Sequence, residues 1–240
     1  MKKIFALSIL LLTLGGVFFK PDYSIALEYP IKSTVISQET QEDNVYEQIQ
    51  LELDKSNIPK STQIKLITKL KNGEQWDSMN PEKLKQIPKD YFKISGKTSE
   101  TKRYTFEDGS FIEQSINIEP TYTVKDIDGG TVNNGTGYHS VKGANVHVKK
   151  GVISLGFKAD YTLNNRMDDD IDNVYDDCVK VIGGSYSNRN LKIISKKENA
   201  NGPAKAELTA DVSFAGGILA SDTERLTLFV GDDKAWTQTN

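Results

Sequence analysis

Residues 204–214 read AKAELTADVSF, and their alternation decides the fold. Ala204, Ala206, Leu208, Ala210, Val212 and Phe214 are apolar, and every residue between them is polar or charged. A period of two puts successive side chains on opposite faces of a strand, so this segment has one buried and one wet face. ISLGFKADYTL, residues 153–163, repeats the pattern, with Ile153, Leu155, Phe157, Ala159, Tyr161 and Leu163 on one face. Such half-buried strands belong to antiparallel sheets rather than to parallel sheets covered on both sides.

Shorter strands fit at 138–142, 144–149, 179–182, 190–195 and 225–230. Gly183-Gly184, Asn201-Gly202 and Gly216-Gly217 punctuate them. The region 120–240 is therefore expected to be a β-sandwich domain. Upstream, Tyr104, Phe106, Phe111, Ile112, Ile116 and Ile118 flank Asp108-Gly109, a strong signal for a two-residue hairpin turn.

Before residue 100 the period is helical. Val45, Ile49 and Leu53 form one stripe after Asn44 as cap, and Ile64, Ile67 and Leu70 form another. Pro59 separates the two, Gly73 ends the second, and Asn80-Pro81 opens a short third helix that Pro88 stops. The expected class is α+β: an N-terminal helical hairpin and a β-hairpin over 44–119, then an antiparallel β-sandwich. Trp76 stands in the connection between the second and third helices. It reads first as an apolar plug docking that hairpin, and in the alternative as a ligand or partner contact.

The N-terminus gives an address. Lys2 and Lys3 precede the apolar stretch Ile4–Phe19, and Ser24-Ile25-Ala26 places small residues before a cleavable bond. That is the layout of a secretory signal peptide over 1–26, short for a bilayer span. Residues 27–43 read as a flexible polar leader. The protein is expected to be extracellular. Removing the signal takes three lysines and Asp22, moving the formal net charge from −3 to −5. A mildly acidic chain without basic clusters is unsuited to nucleic acid or to anionic lipid, so neither is expected as a partner once the signal is gone.

Cys178 is the sole cysteine, which excludes an internal disulfide; it reads as a small buried hydrophobe, with nucleophile and dimer-forming thiol as alternatives. RMDDDIDNVYDD, residues 166–177, carries six aspartates in an expected loop. Asp168, Asp170 and Asp172 match the first ligand positions of an EF-hand. Asn173 and Val179, however, occupy the places of its glycine and glutamate, so only a looser calcium site stays open beside a solvated loop. His139 and His147 lack further ligands at zinc spacing and read as exposed strand histidines. Gly129–Gly137 is glycine-rich with no helix after it and reads as a loop. No nucleophile elbow is present. A carboxylate pair drawn from Glu107, Asp126, Asp128 or Asp160 needs only spatial adjacency. Tyr138, Tyr175, Tyr186 and Trp236 fall at expected loops or strand ends, where exposed aromatics can bind glycans.

KNGEQWDSMNP, RYTFEDGSFIEQSI and GTGYHSVKGANV together resemble a group of secreted Gram-positive proteins carrying a domain of unknown function. The resemblance covers residues 60–215. It implies export, Gram-positive origin and a helical half followed by a β-rich half; it carries over no activity and no site residue.

The functional expectation is a secreted, non-enzymatic binding protein acting at a cell surface, with an extracellular glycan or protein as partner. Trp76 and Tyr138 are candidate partner contacts, and calcium is the candidate cofactor. A bacteriocin-like or toxin-like effector is the second expectation, and a carboxylate-pair hydrolase the third.

Overall fold

The computed structural model describes residues 38–118, 132–135, 137–214 and 222–240. The expected signal peptide, most of the expected leader, Asp126, Asp128 and Gly216-Gly217 lie outside them. Helices α1 (Gln38–Lys55), α2 (Lys60–Lys71) and α3 (Pro81–Leu84) precede all of the described strands. The strands are β1 (Lys93–Ile94), β2 (Glu100–Thr105), β3 (Phe111–Asn117), β4 (Val132–Gly135), β5 (Tyr138–Lys150), β6 (Ile153–Asn164), β7 (Asp170–Val181), β8 (Gly184–Ser195), β9 (Ala204–Phe214), β10 (Asp222–Gly231) and β11 (Lys234–Thr239).

All pairings are antiparallel, in two sheets. One runs β1-β11-β10-β9-β8; the other runs β2-β3-β5-β6-β7, with β4 also on β5. The two alternating segments, β6 and β9, sit inside different sheets and turn their apolar faces inward. Leu155, Ala159, Tyr161 and Leu163 meet Ala206, Leu208, Ala210, Leu226 and Leu228 in one continuous buried core. Lys150 bridges the sheets at one end, its Nζ 2.6 Å from a Glu224 carboxylate oxygen, both side chains nearly fully buried.

The helices do not form a separate body. Ser37–Asn240 is one compact unit, and Ile49, Leu53, Leu66, Leu70 and Trp76 belong to the same core as the strands. The β2–β3 hairpin is likewise part of the six-stranded sheet, through β3 on β5, and residues 93–94 supply the outer strand of the other sheet. Both sheets thus take strands from either side of residue 119.

Turns meet the helical residues closely. A Cβ on Gly151 would overlap the Trp76 ring, and one on Gly183 would overlap Val45. Gly151 also has φ +57, open to glycine at little cost. Trp76 is fully buried, and its indole N–H donates to the Leu66 carbonyl at 2.8 Å. Asp108 adds a polar lock: one carboxylate oxygen accepts from Lys69 Nζ at 2.8 Å and the Asp77 N–H at 2.9 Å. The other accepts from the Ser110 N–H at 2.9 Å.

Several expectations change. Helix α1 begins at Gln38, inside the expected leader, because Gln and Glu favour helix without any apolar stripe. In α2 the buried residues are Gln63, Leu66 and Leu70, while Ile64 is exposed. The Gln63 amide donates to the Ile58 carbonyl at 2.7 Å and to Asp54 at 2.6 Å, so a satisfied polar residue takes the inner place. The hairpin turn is longer than two residues: Phe106 N–H bonds Ser110 O at 2.8 Å, and Asp108 works outward. Part of the glycine-rich stretch, 132–135, is strand. The acidic stretch is mostly strand β7 rather than loop.

Candidate functional site

Strand β11 is held along its whole length by β10, from Leu226↔Thr239 to Gly231↔Lys234. On its other edge β1 pairs only through Lys93↔Trp236 and Ile94↔Ala235. Ahead of β1 the chain comes from α3. Asn80 caps that helix by accepting the Glu82 N–H at 2.9 Å, with Pro81 as its first residue. Pro88 follows, so the segment 85–92 cannot continue the helix and leaves β11 without a neighbour beyond Trp236.

A groove of about 470 Å³ opens there. Leu84, Ile87, Pro88 and Phe92 line one side, and Trp236 to Thr239 the other. Ile112 and Gln114, from the facing sheet, also line it. The Thr237 hydroxyl donates to Gln114 Oε1, and both side chains are buried. The charged lining residues are Lys85 and Lys89. The lining therefore supplies apolar, amide, hydroxyl and ammonium groups but no carboxylate, imidazole or thiol. Those groups can hold a ligand by apolar contact, hydrogen bonds and charge.

Trp236 joins this groove to the outer face of its sheet. Register sets Lys93, Trp236, Phe229 and Lys205 side by side on β1, β11, β10 and β9. The two rings stack with centroids 5.4 Å apart and 15° between planes. Lys93 Nζ lies 5.5 Å from the Trp236 ring and Lys205 Nζ 5.8 Å from Phe229, within reach of the ring quadrupoles. Both rings remain half-exposed.

The other sequence candidates are scattered. Trp76 offers no surface to a partner, because its ring fills the space against Gly151; the packing reading holds and the contact reading is corrected. Tyr138 is 45% exposed at the first residue of β5, whereas Gly151 follows the last residue of that 13-residue strand. These two aromatics therefore share no site. Tyr186 is exposed on β8, and the Tyr175 hydroxyl donates to Asp160 at 3.2 Å.

Asp168 lies exposed, 3.9 Å from Lys197 Nζ. Asp170 accepts from the Asn164 amide at 3.4 Å, and Asp172 from the Thr162 hydroxyl at 3.2 Å. Among the described residues no three His, Cys, Asp or Glu side chains gather where a metal ion could be held, and these aspartates form no such group. Their neighbour Asp169 is the structural member. Fully buried, it accepts backbone N–H bonds from Asn164 at 2.6 Å and Asp233 at 2.9 Å, tying the β6–β7 turn to the β10–β11 turn. Burial pushes its carboxyl above the ordinary range against those bonds, and Glu198 and Asp233 add to the rise.

Cys178 is exposed, not buried, because it falls on the outward phase of β7 beside inward Val179. Gly156 lies between it and His147 in register. Both side chains lean over that glycine, 3.3 and 3.2 Å from where its Cβ would be. Burial lowers the His147 pKa, with Glu113 opposing and Lys149 adding. His139 and His147 are half-buried rather than exposed.

Sequence reasoning found Trp236 but not Phe92, Gln114 or Thr237. Their joint signal was tertiary, since residues 92, 114 and 237 meet only through the pairing of β1 with β11 and the apposition of the two sheets.

No protein-family model matches the chain, and no curated protein matches it. A solved structure similar to it is the 2.75 Å crystal structure of a hypothetical protein from Listeria monocytogenes EGD-e. It is 17% identical, with 61% of this chain and 96% of that chain covered and a TM-score of 0.32. A likeness at that level carries no argument about function. No helix among the described residues is long and apolar enough to cross a membrane.

Proposed function

We propose that this protein is a secreted binding protein that acts at a cell surface without catalysis, and that it holds its ligand in the groove between residues 84–92 and β11. The observation that carries the reading is the groove itself. It is open to solvent, lined by apolar and polar side chains in equal share, and it has the buried Thr237–Gln114 pair among its lining groups. A concave site that combines apolar side chains with fixed polar groups is a usual form of binding pocket. Trp236, half-exposed at its mouth and stacked on Phe229, adds a rigid aromatic face of the kind that dominates binding energy. Secretion follows from the N-terminal layout read above.

The test is retention of the purified protein on cell-envelope preparations. The wild type is expected to be retained. Trp236→Ala and the exposed Gln238→Ala are expected to weaken retention by about tenfold or more and by severalfold, respectively, in line with typical hot-spot losses. Their melting curves are expected to stay close to the wild type. Wild-type protein that passes through unretained, or variants retained as well as it is, would sink the reading.

A further inference from the structure

We propose that the occupant of this groove is an extended polypeptide, alternating acidic and apolar residues, which adds to the five-stranded sheet as a new strand alongside β11. The proposal rests on the reading of the groove as the binding site.

The first argument is the state of the β11 edge. In an antiparallel ladder, successive residues direct their N–H and C=O groups to opposite sides. Strand β10 takes one side over the whole of β11. Strand β1 takes the other side at Ala235 and Trp236 only. Among Thr237, Gln238 and Thr239, at least one residue must therefore present both backbone groups to the groove. Unpaired edges of this kind template the addition of another strand. Here the chain's own strand stops after two residues and the groove begins where it would have continued.

The second argument is what faces the incoming chain. A strand lying beside β11 presents alternate side chains to opposite sides. One set would meet Ile112, Ile87 and Phe92; the other would meet solvent at the groove rim. The charged lining residues are both cationic, Lys89 and Lys85, the latter paired at 2.6 Å with exposed Glu82, an ion pair an incoming carboxylate can share or displace; that favours carboxylates on the outer set and rejects basic segments. The two-residue reach of β1 leaves room for roughly three residues of pairing, about 10 Å of strand. That short pairing matches a transient contact rather than a permanent one.

A phage-displayed library of random peptides, selected on the intact protein, tests this. Synthetic copies of selected peptides are then compared with versions N-methylated at one backbone amide at a time. The expected result is enrichment of acidic–apolar alternation and at least about tenfold weaker binding to the Lys85→Glu/Lys89→Glu variant, as for rim charges that steer a partner. N-methylation is expected to abolish binding at every second position and to spare the others, the parity of strand pairing. Peptides that bind without that parity overturn strand addition. So does a library yielding nothing while envelope glycans bind in a Trp236-dependent way, a result that leaves the binding reading standing. If neither peptides nor envelope preparations bind, both readings fall together.

Discussion

Trp76 and Trp236 show how differently one residue type can be used. Trp76 is an interior plug with its single polar atom satisfied by the Leu66 carbonyl, whereas Trp236 is a half-exposed ring at a groove mouth. The sequence singled out both, reading Trp76 first as a plug and only in the alternative as a partner contact; its full burial decides for the plug. A tryptophan in a polar run looks exposed until the turn it covers is known, and Gly151 is 75 residues away in sequence. Trp76→Ala removes the plug and leaves a cavity, with an expected cost of about 3–5 kcal/mol in chemical denaturation. Trp76→Phe keeps most of the ring and loses only the indole N–H bond to the Leu66 carbonyl, which keeps its helical partner in α2, for about 1 kcal/mol. A Trp76→Ala protein as stable as the wild type would remove the plug from the account.

Among the elements, the turns were legible as turns but not as docking points. Gly73 and Gly151 both have positive φ, at +74 and +57. The sequence marks each as a chain reversal. Only the fold distinguishes them: a Cβ on Gly73 would meet nothing within 4 Å, and one on Gly151 would enter the Trp76 ring. Gly73→Ala is therefore expected to cost about 1–2 kcal/mol, the price of a left-handed alanine alone. Gly151→Ala adds overpacking to that strain, for about 2–5 kcal/mol in total. Thermal melts of the two variants side by side check this, and equal losses would deny the contact. Strand β7 teaches a related lesson. The six aspartates of residues 168–177, four of them on the strand itself, looked like a loop, because an edge strand needs only Ile171 and Val179 buried and leaves the remaining positions free for charge.

On the scale of the whole molecule, the helical residues and the sheets are joined by charged contacts that acid will weaken. Burial alone would raise the Asp108 carboxyl, but hydrogen bonds from Lys69, Ser110 and the Asp77 backbone bring it below the ordinary aspartate range. Glu52 is lowered likewise against its burial, by Lys149 at 2.6 Å and by the charges of Lys180 and Lys55. A carboxyl whose folded pKa is depressed stabilises the fold above its unfolded pKa, and that stability disappears as pH falls through the folded value. Asp169, raised, has the opposite sign: its ionisation opposes folding, and acid relieves that cost. Among the described residues five carboxyls are depressed against one raised, and burial lowers His139 and His147, so melting temperature is expected to begin falling as pH drops through the ordinary histidine range near about 6.5 and to fall further below about pH 4. Asp108→Asn is expected to melt lower at neutral pH and to lose less on acidification. A variant with the wild-type pH profile would show that the lock does not link acid to unfolding.

The sequence by itself determined that the chain is mostly antiparallel β with helices ahead of it, since a period of two or of 3.6 is a local consequence of backbone geometry. It also fixed the caps and turns at Asn80-Pro81, Gly73 and Gly183-Gly184, which depend on neighbouring residues alone. What only the tertiary structure decided is which faces meet. That Leu66 rather than Ile64 is buried, that Trp76 covers Gly151, and that β1 releases β11 after two residues all follow from contacts between distant segments. The candidate groove belongs to this second kind. Its lining comes from residues 84–92, 112–114 and 236–239, and no local pattern records that two sheets will bring those three stretches together.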